Sequence, residues 1–466
     1  MAETKPFATV IDARPIGGFQ IAIAAIGALA LFCEGFDLQI ISYVMPHIVE
    51  AWRIEPARQG AILSAGYSGM LIGFLVLAPL ASKIGAKRLA VCCLFVMGVL
   101  NFVTLLASDA QTLVFCRIAV GLTLGGVVPP TLALVSEFFP ARHRSALIAM
   151  LYLGTTSGIM IAGVAAWATL SRYGWRGAMA IGGVMPIVVA LAVWCVWCES
   201  PVWLLSRGPK ESSRVKDILA RLYPRTPLSD VLISVEPPAP RAGGVAQLFV
   251  EKRLVGTLML WVALSFNAVV YFFALSWMPL ILVKIGATQQ DAIFASTLGN
   301  LGGIAAIATG FLMDRFGSAR VVTAYFLMGA AFVLLLGTLL SPAVVVIAPA
   351  AFCLGYCVSG LQKGVSALAI EFYPPALRST GLGWVLGIGR SGAILGPMIP
   401  GFLMQAGWPP AHVFYLMAVP LVLGGAGIAL MRAWYRQRSL PEQMQIHVSP
   451  SIHDDYPRQS KGTTMR

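Results

Sequence analysis

Twelve apolar stretches, each long enough to cross the hydrocarbon core of a bilayer, recur along this chain between short polar breaks that contain Gly, Pro and Arg. They run over about residues 17–45, 60–82, 89–107, 111–136, 145–170, 177–198, 254–283, 291–313, 320–340, 343–370, 379–405 and 410–434. Inside a bilayer the backbone has no water to bond to, so spans of this kind must be helices. The chain is therefore expected to be an all-α polytopic membrane protein. Composition leaves little alternative: with 58% hydrophobic and 11% charged residues, a water-soluble fold would lack the polar side chains to cover its surface. The first 16 residues are polar, carry Lys5 and Asp12 and offer no small-residue cleavage site, so no signal peptide is expected.

A net charge of +13 could point to nucleic acid, but its distribution points to a membrane. With the N-terminus assigned to the cytoplasm and sides alternating, 25 Lys/Arg fall in cytoplasmic segments. Five fall opposite: Arg53, Arg58, Arg172, Arg176 and Lys284. This is the positive-inside pattern, and it predicts a cell (inner) membrane protein with both termini cytoplasmic. The remaining three basic residues, Arg117, Lys363 and Arg390, lie within spans.

The polar interval 199–253 divides six spans from six. It holds Pro237-Pro238-Ala239-Pro240, Gly243-Gly244 and nine basic residues, as expected of a cytoplasmic linker with a short surface helix. The expected organisation is a cytoplasmic N-terminus (1–16), a six-helix bundle (17–198), the linker (199–253), a second six-helix bundle (254–434) and a cytoplasmic tail (435–466). A shift of about 233 residues superposes landmarks of the two halves. Glu137-Phe-Phe-Pro-Ala-Arg-His-Arg144 falls on Glu371-Phe-Tyr-Pro-Pro-Ala-Leu-Arg378, Ser157-Gly158 on Ser391-Gly392, and Met45-Pro46 on Met278-Pro279. Parallel six-span repeats place a substrate site near the midplane between two pseudo-symmetric bundles and favour alternating access, so transport is the leading function.

Charges within spans are the candidates for chemistry, because each costs at least ~2.5–3.5 kcal/mol to insert. Glu34 and Asp37 share a face of the first span. Two carboxylates this close resist ionising together, which equips them to take up a proton near neutral pH. Arg117 lies roughly 9 Å into the fourth span by helical rise, at a depth comparable with Asp37. An ion pair of Arg117 with either carboxylate is expected, serving proton coupling or simply anchoring the helices. Arg390, near the middle of the eleventh span, has a planar fork that matches a carboxylate bidentately. Lys363 could add a second positive point or snorkel to the interface. Two cations facing a cavity imply a small organic anion as substrate, and Phe36, Tyr271 and Tyr356 are among the aromatic candidates to stack on it.

Other patterns carry less. The eight cysteines sit in apolar stretches, and Cys195-Val-Trp-Cys198 has neither a second pair nor a local His, so ordinary thiols are expected and no metal. Gly387-Ile-Gly389-Arg-Ser-Gly392 follows no strand and lies inside a span, which excludes dinucleotide binding. No cofactor is expected, and no nucleophile with an adjacent base suggests an enzyme.

Several motifs carry a family resemblance. Gly310-Phe-Leu-Met-Asp314-Arg315-Phe-Gly317-Ser-Ala-Arg320 matches G-x-x-x-D-R-x-G-R-R, the signature of the loop after the second span of each half in the major facilitator superfamily; the first copy is degraded, with Ser82-Lys83 in place of Asp-Arg. The chain resembles that superfamily over residues 17–434. Within it the likeness is to aromatic acid:proton symporters, carried by Glu34-Gly35-Phe36-Asp37 in place of D-G-[FY]-D, Arg117-Ile-Ala-Val-Gly121-Leu-Thr-Leu-Gly125-Gly126, Glu199-Ser200-Pro201-Val-Trp203 and Gly389-Arg390-Ser-Gly392-Ala-Ile-Leu-Gly396-Pro397. The resemblance implies a proton-coupled importer of an aromatic carboxylate, working as a monomer in membrane lipid. It also implies that Glu137, Arg144, Asp314, Arg315, Glu371 and Arg378 form charge networks at the inner gate. A proton-driven exporter and a non-transporting sensor of aromatic acids remain the rival readings.

Overall fold

The computed structural model describes residues 4–208, 211–223, 232–234, 245–250, 253–341, 343–374 and 377–437. The Pro237-Pro238-Ala239-Pro240 run, the Gly243-Gly244 pair and the tail beyond Gln437 lie outside the described residues. Within them the chain is helical apart from a short parallel ladder, in which Thr4–Pro6 pairs with Leu232–Ser234.

The spans are α1 (Gly18–Trp52), α2 (Pro56–Val76), α3 (Ala86–Thr104) and α4 (Ala110–Glu137), then the stretch Arg144–Val196. That stretch breaks at Gly174, whose φ of 63° leaves the helical region, so it comprises two spans, α5 and α6. After the linker come α7 (Leu254–Lys284), α8, α9 (Ser318–Thr338), α10 (Val344–Phe372), α11 (Arg378–Gln405) and α12 (Pro410–Gln437). α8 consists of Gln289–Ala305 and Thr309–Phe316, bent by 44° where one continuous span over 291–313 was expected. Twelve spans result, and an even number of crossings returns both chain ends to the same end of the molecule, here the terminal end. The other is the far end.

The repeat is written in the backbone as well as in the sequence. Gly85 and Gly317, at the starts of α3 and α9, share one left-handed geometry, with φ 100° and 87° and ψ 146° and 135°. Arg53 and Gly286, 233 residues apart, both close a helix with positive φ, as do Gly174 and Gly407. Packing repeats too: α1 lies on α5 and α2 on α4 in the first half, and α7 lies on α11 and α8 on α10 in the second. Small residues permit these approaches. A methyl group on Gly35 or Gly154 would meet backbone of the partner helix, as would one on Gly125 or Gly355.

Between the halves α1 meets α7, α2 meets α11 and α5 meets α8. Among the described residues, the hydrogen bonds that cross all lie toward the far end: Gln39 to Leu275, Tyr43 to Thr297, Gln289 to Tyr43 and Ala57 to Gln405. There Gly60 and Gly401 bring α2 and α11 close enough that a Cβ on Gly401 would lie 2.7 Å from the Pro56 carbonyl oxygen. The molecule is held shut at the far end.

Candidate functional site

Asp37 and Arg117 meet between α1 and α4. Arg117 Nη2 lies 2.9 Å from Asp37 Oδ2, Nη1 donates to Oδ1 at 3.1 Å, and Nη2 also donates to the Asp37 carbonyl at 3.1 Å. Both side chains are fully buried, at 0% and 1% exposure. Gly66 on α2 makes room for the guanidinium, since a Cβ there would stand 3.2 Å from Nη2. Of the two carboxylates expected to compete for Arg117, Asp37 makes the pair.

Glu34 is held separately. It is buried between α1 and α5, and its Oε2 accepts the Thr155 hydroxyl at 3.0 Å. Thr155 is delivered there by the backbone contact of Gly35 with α5. The guanidinium acting on Glu34 belongs to Arg390, which exerts its field also on Tyr67, Tyr152 and Tyr271. Arg390 itself is half-buried, lies over the Phe74 ring of α2 at 5.2 Å, and makes no ion pair among the described residues. Across the halves Tyr67 of α2 meets Phe272 of α7 at 4.7 Å, with Tyr271 also against Phe272 at 5.0 Å, and Arg390 acts electrostatically on these tyrosines and on Glu34.

The other expected ligands have contacts of their own. Phe36 is buried in the first half, stacked on Phe32 at 6.5 Å and facing Gly182 of α6. Tyr356 shares a 2.6 Å hydrogen bond with Tyr325 of α9. Lys363 donates to the Gly303 carbonyl at 3.0 Å, near the end of the first segment of α8. Carbonyls at a helix end lack intrahelical donors, so Lys363 steadies the bend in α8.

The charged residues at the terminal end bond within their own halves or to the start of the linker, and not across to the other half. Glu137 accepts the Ser200 hydroxyl at 2.6 Å, and Glu371 accepts the Ser318 hydroxyl at 2.6 Å. Arg144 Nε donates to the Phe139 carbonyl at 3.3 Å and Arg378 Nε to the Tyr373 carbonyl at 3.2 Å, the same bond at repeat-equivalent positions. Asp314 is exposed and Arg315 lies over its neighbour Phe316 at 5.4 Å. The degraded first loop is compensated by Glu199, whose Oε1 accepts the backbone N–H of Lys87 at 2.9 Å and so supplies a carboxylate to the start of α3. Among the described residues no His/Cys/Asp/Glu group could hold a metal ion.

Sequence reasoning did not single out Thr155, Gln39 or Tyr43. A glutamine in the middle of an apolar span was a readable signal for Gln39; for Thr155 there was none beyond its neighbouring Ser157-Gly158 landmark.

Comparison with known proteins fits this geometry. The family model of the Major Facilitator Superfamily matches residues 27–352 and 285–451. The 4-hydroxybenzoate transporter PcaK of Pseudomonas aeruginosa is 31% identical over 90% of this chain and 94% of its own length. The gallate transporter of Pseudomonas putida is 30% identical over 92% and 96%. Among solved structures, a bacterial homolog to the human lysosomal transporter Spinster, inward-facing and occupied, superposes with a TM-score of 0.69 at 16% identity, covering 94% of this chain and all of that one. The D-xylose-proton symporter gives 0.67 at 15% identity, over 91% of this chain and 99% of that one. By its repeated six-span halves and the matching family model, this chain belongs to the Major Facilitator Superfamily and is a transporter, not an enzyme.

Proposed function

We propose that the protein is a proton-coupled symporter that imports a small aromatic carboxylate across the cell membrane by alternating access. The observation that carries this reading is Arg390: a guanidinium within a span that makes no ion pair among the described residues and acts at longer range on Glu34, Tyr152 and Tyr271. A charge so placed is costly unless something neutralises it, and its fork suits a carboxylate. The tyrosines offer rings to stack on a planar substrate. Relatives named for 4-hydroxybenzoate, gallate and benzoate transport support the aromatic class.

Coupling follows from the position of Glu34. A substrate carboxylate on Arg390 enters the field of the Glu34 carboxylate, and two anions there repel in a low-dielectric site. A proton on Glu34 removes that repulsion, so anion and proton bind together. Asp37 acts in a different way: paired with Arg117, it holds α1 to α4 next to the proton site. Once loaded, the cavity has no net added charge, which lowers the cost of closing it and turning. The excess of Lys/Arg on the terminal side supports cytoplasmic termini. In that orientation the far end is outside, and the conformation described here faces inward.

The test is uptake in proteoliposomes. Labelled 4-hydroxybenzoate, benzoate and gallate, with succinate as an aliphatic control, are offered at an imposed pH gradient, acid outside. The expected result is accumulation of an aromatic acid that collapses with a protonophore. Accumulation indifferent to the gradient, or driven outward by it, would overturn symport in favour of uniport or export. Binding without flux would favour a sensor.

A further inference from the structure

We infer that Gln39, Tyr43, Gln289 and Thr297 form the gate at the far end and set how strongly the protein favours keeping that end shut. The inference rests on alternating access but on neither the substrate nor the proton.

The seam begins with a proline. Pro279 in α7 has no N–H to offer the carbonyl four residues earlier, that of Leu275, which is left without its helical partner. Gln39 of α1 supplies the missing donor from the other half, Nε2 to Leu275 O at 3.2 Å, in a buried position. One turn further along α1, the Tyr43 hydroxyl bonds Thr297 Oγ1 of α8 at 3.2 Å, and Gln289 Nε2 at the start of α8 donates to the Tyr43 carbonyl at 2.7 Å. Gln39 and Tyr43 are both at 0% exposure. Gly163 on α5 keeps the space open, since a Cβ there would stand 3.3 Å from the Tyr43 hydroxyl and would collide with Thr297 Oγ1.

These bonds hold only while the two halves meet at the far end. Parting the far end breaks the seam, and among the described residues no hydrogen bond joins the halves at the terminal end in this conformation. A buried donor or acceptor that loses its partner carries its full desolvation penalty until water arrives. The seam is therefore a differential interaction of the kind that fixes a two-state equilibrium. It is also directional: the repeat equivalent of Gln39 is Phe272, which cannot donate, so the Ser42 carbonyl freed by Pro46 in α1 has no matching glutamine in α7.

The experiment uses the full chain in lipid nanodiscs with spin labels, attached through non-canonical residues at Leu106 and Val345. These are far-end sites, one in each half, at 81% and 86% exposure. Distance distributions are read by pulsed dipolar spectroscopy. Tyr43→Phe/Thr297→Val removes one bond with no hydroxyl left over, and Gln39→Met removes another at nearly constant volume. Each is expected to raise the long-distance, far-end-open population about fivefold relative to the shut one. Restoring the backbone donor with Pro279→Ala gives Leu275 a helical partner, so Gln39→Met should have a smaller effect in that background. Unchanged distributions in both Gln39→Met and Tyr43→Phe/Thr297→Val would overturn the gate, and an undiminished Gln39→Met effect in Pro279→Ala would overturn the role given to the Leu275 carbonyl. Should Gln39→Met fail to fold, the tyrosine-threonine pair decides alone. Failure to take up any aromatic acid would leave these distances readable and count only against the substrate reading.

Discussion

Arg117 and Arg390 are both guanidiniums held within membrane spans, one in each half, and they differ in what surrounds them. Arg117 is paired: a carboxylate and a carbonyl of α1 take up its two terminal nitrogens, its Nε is left buried without an acceptor, and the side chain is shut away from solvent. Arg390 rests on the face of Phe74 with no ion pair among the described residues, in reach of the field of a carboxylate it does not touch. The first arrangement is a bolt between helices. The second has no ion pair among the described residues, which suits the substrate role proposed for Arg390, because a site that already holds its own counter-ion has nothing to offer an anion.

The largest expected effect comes from breaking the closed pair. Asp37→Asn leaves Arg117 buried without its counter-charge, which costs ~3–5 kcal/mol. It should sharply lower the unfolding temperature of the purified protein in detergent, read by intrinsic fluorescence. Removing both charges with Asp37→Asn/Arg117→Leu should recover much of that loss, whereas an equally unstable double variant would mean that the pair's charge is not what matters. Next comes the open site. Arg390→Gln should leave folding near wild type and raise KM for the aromatic acid by roughly 10- to 100-fold, the worth of a charge-assisted bidentate contact at ~1.5–3 kcal/mol. An unchanged KM would remove Arg390 from the substrate site.

This contrast was only partly legible in the sequence. Depth was readable, because helical rise along α1 and α4 puts Asp37 and Arg117 at similar levels. Azimuth was not. Three residues along a helix turn the side chain by about 300°, so Glu34 and Asp37 share a face yet point about 60° apart. That difference sends one to Thr155 on α5 and the other to Arg117 on α4. The twelve spans and their repeat were legible because apolar length and recurring landmarks are local signals. The bend in α8 and the far-end seam were not: Gln39 and Leu275 are 236 residues apart, and nothing near either announces the other. The terminal-end charges illustrate the opposite hazard. The motifs around Glu137, Arg144, Glu371 and Arg378 were plain, but in this conformation none of their bonds joins the two halves.

A third prediction separates the two carboxylates. Glu34→Gln mimics the protonated state permanently, so binding of the anion should persist while concentrative uptake fails. With one unit of pH gradient the accumulation ratio should fall about tenfold, to simple equilibration, the loss of one coupled proton. The check is to compare counterflow exchange, which needs no gradient, with gradient-driven uptake in the same vesicles. Loss of both would make Glu34 structural; retention of both would move the proton elsewhere, with Asp37 the remaining candidate.

The finest test concerns how Glu34 is held. The Thr155 hydroxyl donates to Oε2 at 3.0 Å, and a hydroxyl that can serve only as donor to a carboxylate favours the ionised form over the protonated one. Removing it with Thr155→Val should make the proton easier to retain and shift the pH profile of uptake toward higher pH, with an effect of about 1.5–3 kcal/mol at most. Thr155→Ser keeps the donor and should restore the wild-type profile. A merely structural threonine would predict the reverse ranking, since serine loses the packing methyl that valine preserves. The comparison of the two variants therefore reports on the hydrogen bond alone, and a profile that follows side-chain volume would detach Thr155 from the proton site.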